Sequence, residues 1–406
     1  MFTRKAKSDE VQQVPQDADV YAQRKQKKRK RYLRRAVAFF CIAALIIVIF
    51  QKRDVWMPKL EEISIRHQSV HENNGVLSEG NFPLTISSNT AYQTATMNNL
   101  LLILSDAYLY LYNTDGSMLA RRQHAYGSAM LQAAGNYAMV YESGGTHFRL
   151  ETTGKTLLEK NLSDPIIFGR VSDKGYTAVV TASETSACKL LVFNKKGKQI
   201  YARSCVEELT EVSFHTESDG CYAVSIHAED GKLKSVVHNY DFAQTDEKWT
   251  SQPLDMLCIS VYNTKGDDVF VLGDTCCAYL SLAGAALSTY DYPDALVCGD
   301  SYNGISAVLL RNEEKRTNSV VLMNKNAHSP NVLSFDSEVK YVHVNQDTGS
   351  ITVQTRSEIT SFSPEGTQIA RTGISDTYDS FLRIQSELFL MGYDRIDRME
   401  YSERSY

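Results

Sequence analysis

The chain has 406 residues and a formal net charge of −5, which is distributed unevenly along the sequence. Residues 1–35 contain twelve Lys and Arg against four Asp and Glu, a balance of +8 that leaves −13 for residues 36–406. The basic run adjoins an apolar segment and has no interleaved aromatic residue apart from Tyr32 at its edge. Attraction to anionic lipid explains such a run sufficiently, so we expect no nucleic-acid partner.

An apolar segment of fifteen residues without a polar side chain runs from Ala36 to Phe50. As a helix it rises only about 22 Å, which is short for a hydrocarbon core of about 30 Å, so flanking residues must extend it. We predict a transmembrane helix over residues 36–53, with Arg side chains snorkelling at one interface and a Trp at the other. The residues predicted to form this membrane anchor are Arg34, Arg35, Ala36, Phe50 and Trp56.

A cleaved signal peptide is the main alternative to an uncleaved anchor, but no small-x-small cleavage site follows Phe50. A buried core helix is disfavoured because nine cations lie in the twelve positions before the segment. We therefore predict a disordered cytoplasmic tail over residues 1–35, a juxtamembrane linker over residues 54–80 and an exported remainder. The protein is predicted to be a single-pass cell-membrane protein that contacts lipid through residues 36–50.

From residue 81 onward, the sequence predicts short strands and turns rather than helices. The recurring unit is an apolar strand, a polar turn, a second apolar or aromatic strand and a turn containing Gly, as in Leu100–Leu104, Tyr108–Tyr112 and the turn at residues 113–116. Such units begin near residues 100, 137, 177, 221, 268, 305, 350 and 387. A period of about 40–45 residues with two to four strands per unit is typical of the blades of a β-propeller.

The exported domain, residues 81–406, is therefore predicted to be an all-β propeller, with eight blades favoured over seven. One strand within residues 82–86 precedes the first unit, and the last unit is truncated at the end of the chain. We predict that this N-terminal strand completes the C-terminal blade and closes the ring. β-Sandwich domains or a β-solenoid are the alternatives, although no break in composition marks sandwich boundaries.

Three segments of the exported part carry a family resemblance, namely NFPLTISS, YGSAMLQAAGNYAMVYESGG and GYTAVVTAS. Together with the basic tail and the single span, they resemble the domain-of-unknown-function 5711 family of membrane-anchored clostridial proteins. The resemblance covers nearly the whole chain from residue 30 onward. It implies a single-pass anchor and a propeller of quinoprotein-like or WD40-like shape, and it carries over no active site.

The cysteines do not form a metal or redox motif, because their spacing is irregular and contains no CxxC. One of the eight, Cys41, lies in the predicted span, which leaves an odd number outside. We interpret the others as small buried hydrophobic residues, with one or more disulfides as the alternative. These exported cysteines are Cys188, Cys205, Cys221, Cys258, Cys276, Cys277 and Cys298.

Cys276 and Cys277 are adjacent, and adjacent cysteines form a strained ring in eight-bladed quinoprotein dehydrogenases. A quinone-dependent enzyme also needs a Trp beneath its cofactor and a calcium site, whereas this chain contains only Trp56 and Trp249. We therefore predict that the pair lies in a hairpin turn, GDTCCAY, and packs as apolar filling. We predict no catalytic residue, no cofactor and no metal site.

Tyrosine is abundant, with 23 residues, and Tyr108, Tyr110 and Tyr112 alternate along one predicted strand. Tyrosines in this pattern suit half-buried strands, and they also suit a contact surface for a protein or glycan. We predict a binding or scaffold module at the cell envelope, whose partner is a protein or a cell-wall glycan. The alternatives are an extracytoplasmic propeller enzyme, quinone-dependent or glycan-active, and a transmembrane signalling or structural protein that uses its basic tail.

Overall fold

The computed structural model describes residues 81–86, 91–264, 268–324 and 330–403. The predicted tail, membrane helix and linker lie outside these described residues, at positions 1–35, 36–53 and 54–80. In the ranges that are described, no helix has the length and hydropathy needed to cross a membrane. These ranges instead form 32 β-strands, which assemble into eight four-stranded antiparallel sheets.

In each of the first four blades, the strands run in chain order from the innermost to the outermost. Blade 1 comprises β2 (Gln93–Met97), β3 (Leu100–Leu104), β4 (Tyr108–Tyr112) and β5 (Met118–Gln123). Blade 2 comprises β6 (Ala129–Ala134), β7 (Tyr137–Glu142), β8 (His147–Glu151) and β9 (Thr156–Asn161). Blade 3 comprises β10 (Ile166–Val171), β11 (Thr177–Thr181), β12 (Cys188–Phe193) and β13 (Gln199–Cys205). Blade 4 comprises β14 (Glu208–Phe214), β15 (Gly220–Glu229), β16 (Lys232–Asp241) and β17 (Glu247–Thr250).

The other four blades follow the same order, except that the last one takes its outermost strand from the start of the chain. Blade 5 comprises β18 (Cys258–Asn263), β19 (Val269–Gly273), β20 (Cys276–Leu280) and β21 (Ala286–Asp291). Blade 6 comprises β22 (Ala295–Tyr302), β23 (Ile305–Asn312), β24 (Thr317–Asn324) and β25 (Asn331–Phe335). Blade 7 comprises β26 (Val339–Val344), β27 (Ile351–Thr355), β28 (Glu358–Phe362) and β29 (Gln368–Gly373). Blade 8 comprises β30 (Tyr378–Ile384), β31 (Glu387–Gly392), β32 (Arg395–Glu400) and β1 (Leu84–Thr85).

The eight innermost strands pack beside one another in chain order, and β30 of the last blade lies next to β2 of the first. The ring is therefore closed, which confirms the predicted all-β propeller and the eight blades. The predicted unit starts fall within one residue of the second strand of every blade, as at Leu100 for β3 and Glu387 for β31.

The hydrophobic core lies between the blades rather than inside any one of them. Leu102 and Leu109 of blade 1, for example, pack with Ala138 and Val140 of blade 2. Strands β3 and β19 are buried at every residue, because a neighbouring blade covers each of their faces. The outermost strand β5 has no buried residue, since only one edge of it joins the sheet.

The N-terminal strand closes the ring, as predicted. Strand β1 pairs with β32 through Leu84 opposite Ile396 and Thr85 opposite Arg395. Just before it, the ring of Phe82 lies 5.7 Å from that of Phe389. Gly116 allows this segment to approach, because its φ is +81° and an added Cβ would lie 2.9 Å from the Phe82 ring.

The two faces of the ring carry different connections. The face at which the described chain begins, called the proximal face, carries the turns between first and second strands and between third and fourth strands. There, Asn81 donates a backbone hydrogen bond to the Asp115 carbonyl (3.3 Å), and the Ser350 hydroxyl donates one to Glu403 (2.8 Å). The opposite, distal face carries the turns between second and third strands and the connections between blades.

Candidate functional site

The innermost strands surround a central channel whose walls contain paired charges. Arg170 on β10 reaches Glu211 on β14, with Nε donating to Oε1 at 2.7 Å and Nη2 donating to Oε2 at 2.5 Å. A bidentate pair of this kind fixes both side chains in one geometry. Glu211 is thereby engaged in joining blade 3 to blade 4.

A second acid of the channel wall is held in a similar way. Asp300 on β22 lies 2.7 Å from Nδ1 of His343 on β26, and it accepts backbone hydrogen bonds from Val344 (2.8 Å) and Ser301 (2.9 Å). Burial alone would raise the pKa of Asp300, but the hydrogen bond and charge of His343 and the backbone donors lower it. In the described part of the chain, no group of three or more His, Cys, Asp or Glu residues is placed to hold a metal ion.

The distal mouth of the channel is shaped by a repeated irregularity. In six innermost strands, the pairing with the second strand shifts by one residue close to the distal end. A β-bulge leaves the extra residue unpaired and redirects its side chain. The bulged residues lie around the channel mouth and are Ile167, Thr210, Ile259, Val297, Lys340 and Asp379.

Part of this mouth is apolar and exposed. Ile167, Ile259 and Val297 are 43%, 49% and 37% exposed, and Met130, at the equivalent place in blade 2, is 36% exposed. We call these four residues the collar. The neighbouring connection between blades 3 and 4 adds Val206, which is 94% exposed. Blades 2 to 6 therefore present an arc of exposed apolar side chains, the kind of surface that proteins use for contact.

The rest of the mouth carries charged side chains, and these are paired with other groups of the protein. Lys340 donates hydrogen bonds to the carbonyl oxygens of Asp376 (2.8 Å) and Tyr378 (2.9 Å), and its Nζ lies 3.8 Å from Asp379 Oδ1.

The collar was not predicted from the sequence. Its only trace there is a pair of consecutive apolar residues at the start of an inner strand, such as Ile166-Ile167.

The predicted anchor residues, Arg34, Arg35, Ala36, Phe50 and Trp56, lie outside the described residues.

The tyrosine stripe of β4 lies at the closure of the ring. The rings of Tyr110 and Tyr112 stack at 6.2 Å, and both pack against the cluster that joins blades 8 and 1. Tyr108 lies under the guanidinium of Arg121, at 4.8 Å. These tyrosines therefore pack as half-buried strand residues, as one of the two sequence interpretations predicts.

The prediction that Cys276 and Cys277 lie in a turn is wrong, because both belong to β20. The turn before it consists of Asp274 and Thr275. Successive residues of a strand point to opposite faces, so Cys276 packs toward blade 4 while Cys277 packs toward blade 6, with its Sγ 3.1 Å from Met323 Sδ. Their opposite orientations place the two thiols in separate apolar clusters, consistent with the predicted apolar filling.

All seven described cysteines are free thiols, and six of them are buried. Cys188 and Cys205 differ from the rest because they lie directly opposite each other on β12 and β13. A hydrogen bond between the two thiols lowers the pKa of Cys188, and the same bond together with burial raises the pKa of Cys205.

The family model of DUF5711, a family of unknown function, matches residues 74–401 of this chain. Comparison with curated proteins gives no match.

Solved structures with the same fold include BamB from Moraxella catarrhalis, with 12% identity and a TM-score of 0.52, where the match covers 79% of this chain and 100% of BamB. The C-terminal WD40 domain of Sif2 has 11% identity and a TM-score of 0.61, covering 82% of this chain and 100% of that domain. Sqt1 from Chaetomium thermophilum, solved bound to the N-terminus of a ribosomal protein, has 12% identity and a TM-score of 0.54, covering 81% and 100%. At such low identity, these similarities show the fold alone.

Proposed function

We propose that this chain, which belongs to the DUF5711 family, is a membrane-anchored extracytoplasmic propeller that binds a partner protein through its distal face. The observation that carries the proposal is the collar, where bulges expose Ile167, Ile259 and Val297 around one end of the channel. A fold that buries apolar side chains elsewhere on its inner strands leaves these three partly exposed to water, which is unfavourable. Their burial by a partner would contribute favourable free energy to binding.

The membrane anchor in this proposal rests on the sequence. Ala36 to Phe50 is apolar throughout, and the cations at Arg34 and Arg35 keep the N-terminus in the cytoplasm. The described chain begins at Asn81 on the proximal face, which is opposite the collar. Protease added to intact cells should remove the propeller and spare the tail, and full protection of the propeller would contradict this orientation.

Partner binding can be tested on full-length protein cross-linked in cells and recovered from solubilised membranes. The test variant is Ile167→Ser/Ile259→Ser/Val297→Ser. Fully burying such side chains contributes about 1.5–3 kcal/mol each, so the exposed fractions of 43%, 49% and 37% give a loss of about 2–4 kcal/mol in all. That loss corresponds to a roughly 30- to 700-fold weaker complex.

A matched control carries the same change at equally exposed apolar residues of the outermost strands. Leu119, Leu287 and Val332 are 47%, 53% and 46% exposed, so Leu119→Ser/Leu287→Ser/Val332→Ser removes similar apolar area away from the collar. A partner recovered with wild type and with this control, but lost with the collar variant, supports the proposal. A partner recovered equally with all three proteins contradicts it.

A further inference from the structure

A pocket of about 210 Å³ opens on the proximal face, between blade 4 and the β20–β21 turn of blade 5. One wall is a row of residues paired across three strands, with Tyr222 opposite Asn239 and Asn239 opposite Trp249. His215, in the turn before β15, and Leu282, in the turn after β20, also line it. This site lies on the opposite side of the ring from the collar.

Three polar atoms of this lining have no hydrogen-bond partner among the described residues. They are His215 Nε2, Asn239 Oδ1 and Trp249 Nε1, and each is itself buried. His215 is 8% exposed and Asn239 is 6% exposed. A buried polar group without a partner costs about 1–3 kcal/mol, so three around one pocket point to a ligand.

The surrounding contacts determine what each atom can do. His215 Nδ1 lies 3.2 Å from Asp219 Oδ1, and a carboxylate only accepts, so Nδ1 carries the hydrogen and Nε2 of the neutral ring is an acceptor. Asn239 contributes a second acceptor through Oδ1, whereas the Trp249 indole is a donor. A ligand that hydrogen-bonds to all three atoms must be a small molecule with two donors and one acceptor.

The charges at the rim already have partners, which favours an uncharged ligand. Lys248 Nζ lies 3.1 Å from Asp241, and Glu217 is hydrogen-bonded to Lys174. Asp219 is occupied by His215. A cationic or anionic ligand would therefore find no free opposite charge among these groups.

The walls are aromatic and closely packed. The ring of Tyr222 lies 4.6 Å from that of His215 and 5.7 Å from that of Trp249. Trp249 also packs on Gly284, where an added Cβ would lie 2.5 Å from the indole. The pocket therefore combines aromatic walls with three hydrogen-bonding atoms, and its volume is below the ~300–1,000 Å³ of sites for drug-sized ligands.

We propose that this pocket binds a single neutral sugar residue. Neighbouring hydroxyl groups each donate and accept, so one ring can satisfy His215, Asn239 and Trp249 together while its C–H surfaces contact the aromatic walls. The proposal goes beyond the distal protein-binding function and does not depend on it, because the collar contributes no residue to the pocket.

The test uses full-length protein in detergent that carries Trp56→Phe, so that Trp249 is the only remaining Trp and reports on the pocket by its fluorescence. The probes are glucose and N-acetylglucosamine, compared with L-arginine and L-glutamine. We expect a saturable change with a sugar, with Kd on the order of 1 mM for a ligand of this size. Asn239→Leu should weaken binding at least ~10-fold through the lost hydrogen bond, whereas Asn161→Leu, at an exposed position of blade 2, should not.

Thermal unfolding distinguishes lost binding from lost folding. Because Asn239 Oδ1 has no partner in the part of the chain that the structure describes, Asn239→Leu should leave Tm unchanged or raise it. If Tm falls instead, His215→Phe provides the second test of binding, with the same ~10-fold weakening expected. The proposal is overturned if no sugar produces a saturable change, if the substitutions leave sugar affinity unaltered, or if arginine or glutamine binds in place of a sugar.

Discussion

The strongest test of how the blades are held together is the removal of one buried charge. Glu151 has no exposed surface and ends β8 of blade 2. Its Oε2 accepts a hydrogen bond from Arg122 of blade 1 at 2.7 Å, and the Thr156 hydroxyl donates to the same oxygen at 2.9 Å. Arg149 Nε lies 3.0 Å from Oε1, close enough for charge pairing although its N–H is not aligned as a hydrogen bond.

The change Glu151→Gln keeps the shape of the side chain and removes its charge. Arg122 and Arg149 have side chains only 13% and 9% exposed, so both would be left largely buried without a carboxylate. Breaking a buried pair by removing one partner costs about 3–5 kcal/mol. At about 2 °C per kcal/mol for a domain of this size, we expect Tm to fall by roughly 6–10 °C.

The measurement is thermal unfolding followed by circular dichroism, with Glu159→Gln as the control. Glu159 is exposed and lies opposite Arg149 in the same blade, so the identical chemical change there should shift stability by no more than about 0.5 kcal/mol. Replacing Arg122, Arg149 and Glu151 together with Met should restore most of the lost stability. A fall in Tm of less than about 2 °C for Glu151→Gln would refute the reasoning, because it would mean that water reaches the arginines.

Three further predictions concern closure, oxidation and pH. Leu84→Asp places a charge in the apolar cluster that joins β1 to its neighbours. Limited proteolysis should therefore cut the chain near residue 84 faster in this variant than in Leu84→Ile. Equal cleavage rates would contradict closure of the ring by this strand. Diamide, which takes up two electrons and two protons, should join Cys188 to Cys205, because residues directly opposite each other on paired strands suit a disulfide. Mass spectrometry should show that the protein loses two hydrogens, and Cys188→Ser should abolish this loss. Asp300→Asn should destabilise the domain at neutral pH, because folding lowers the pKa of Asp300 and its charged form therefore stabilises the folded state. This stabilisation is present above the unfolded pKa and is lost as pH falls through the folded pKa. The difference in unfolding free energy between wild type and variant should therefore shrink as pH falls below about 4. A difference independent of pH would show that the pair with His343 is not responsible.

The sequence predicts the middle of each blade better than its edges. Leu100–Leu104 is buried at every position, so it is a continuous apolar run that stands out from the turns around it. The outer strand Met118–Gln123 has two arginines and no buried residue, and its pairing depends on a partner strand that the sequence does not reveal. The closing strand was predictable because residues 82–86 precede the first unit and the last unit lacks a fourth strand.

The candidate sites depend on single-residue features that periodicity does not register. The bulge at Ile167 shifts the strand register by one residue. Without the shift, the side chain at this position would follow the strand alternation into the core, whereas with it the side chain lies at the channel mouth. His215 and Trp249 are 34 positions apart in the sequence and meet only because β15, β16 and β17 align in one register. Cys276 and Cys277 illustrate the same limit, since the extent of β20 decides whether they lie in a turn or on opposite faces of a strand.

The two proposed sites have different relations to the proposed tether. The described chain begins at Asn81 on the proximal face, which also carries the pocket around His215. Strands of five to six residues span about 17–20 Å, so the thickness of the blades separates this pocket from the collar. Residues 54–80 can extend over at most about 90 Å, several times that thickness, so a tether of this length does not fix which face points away from the membrane. Because the pocket and the collar share no residue and no side chain, a sugar on one face and a protein on the other would occupy the propeller at the same time without steric conflict.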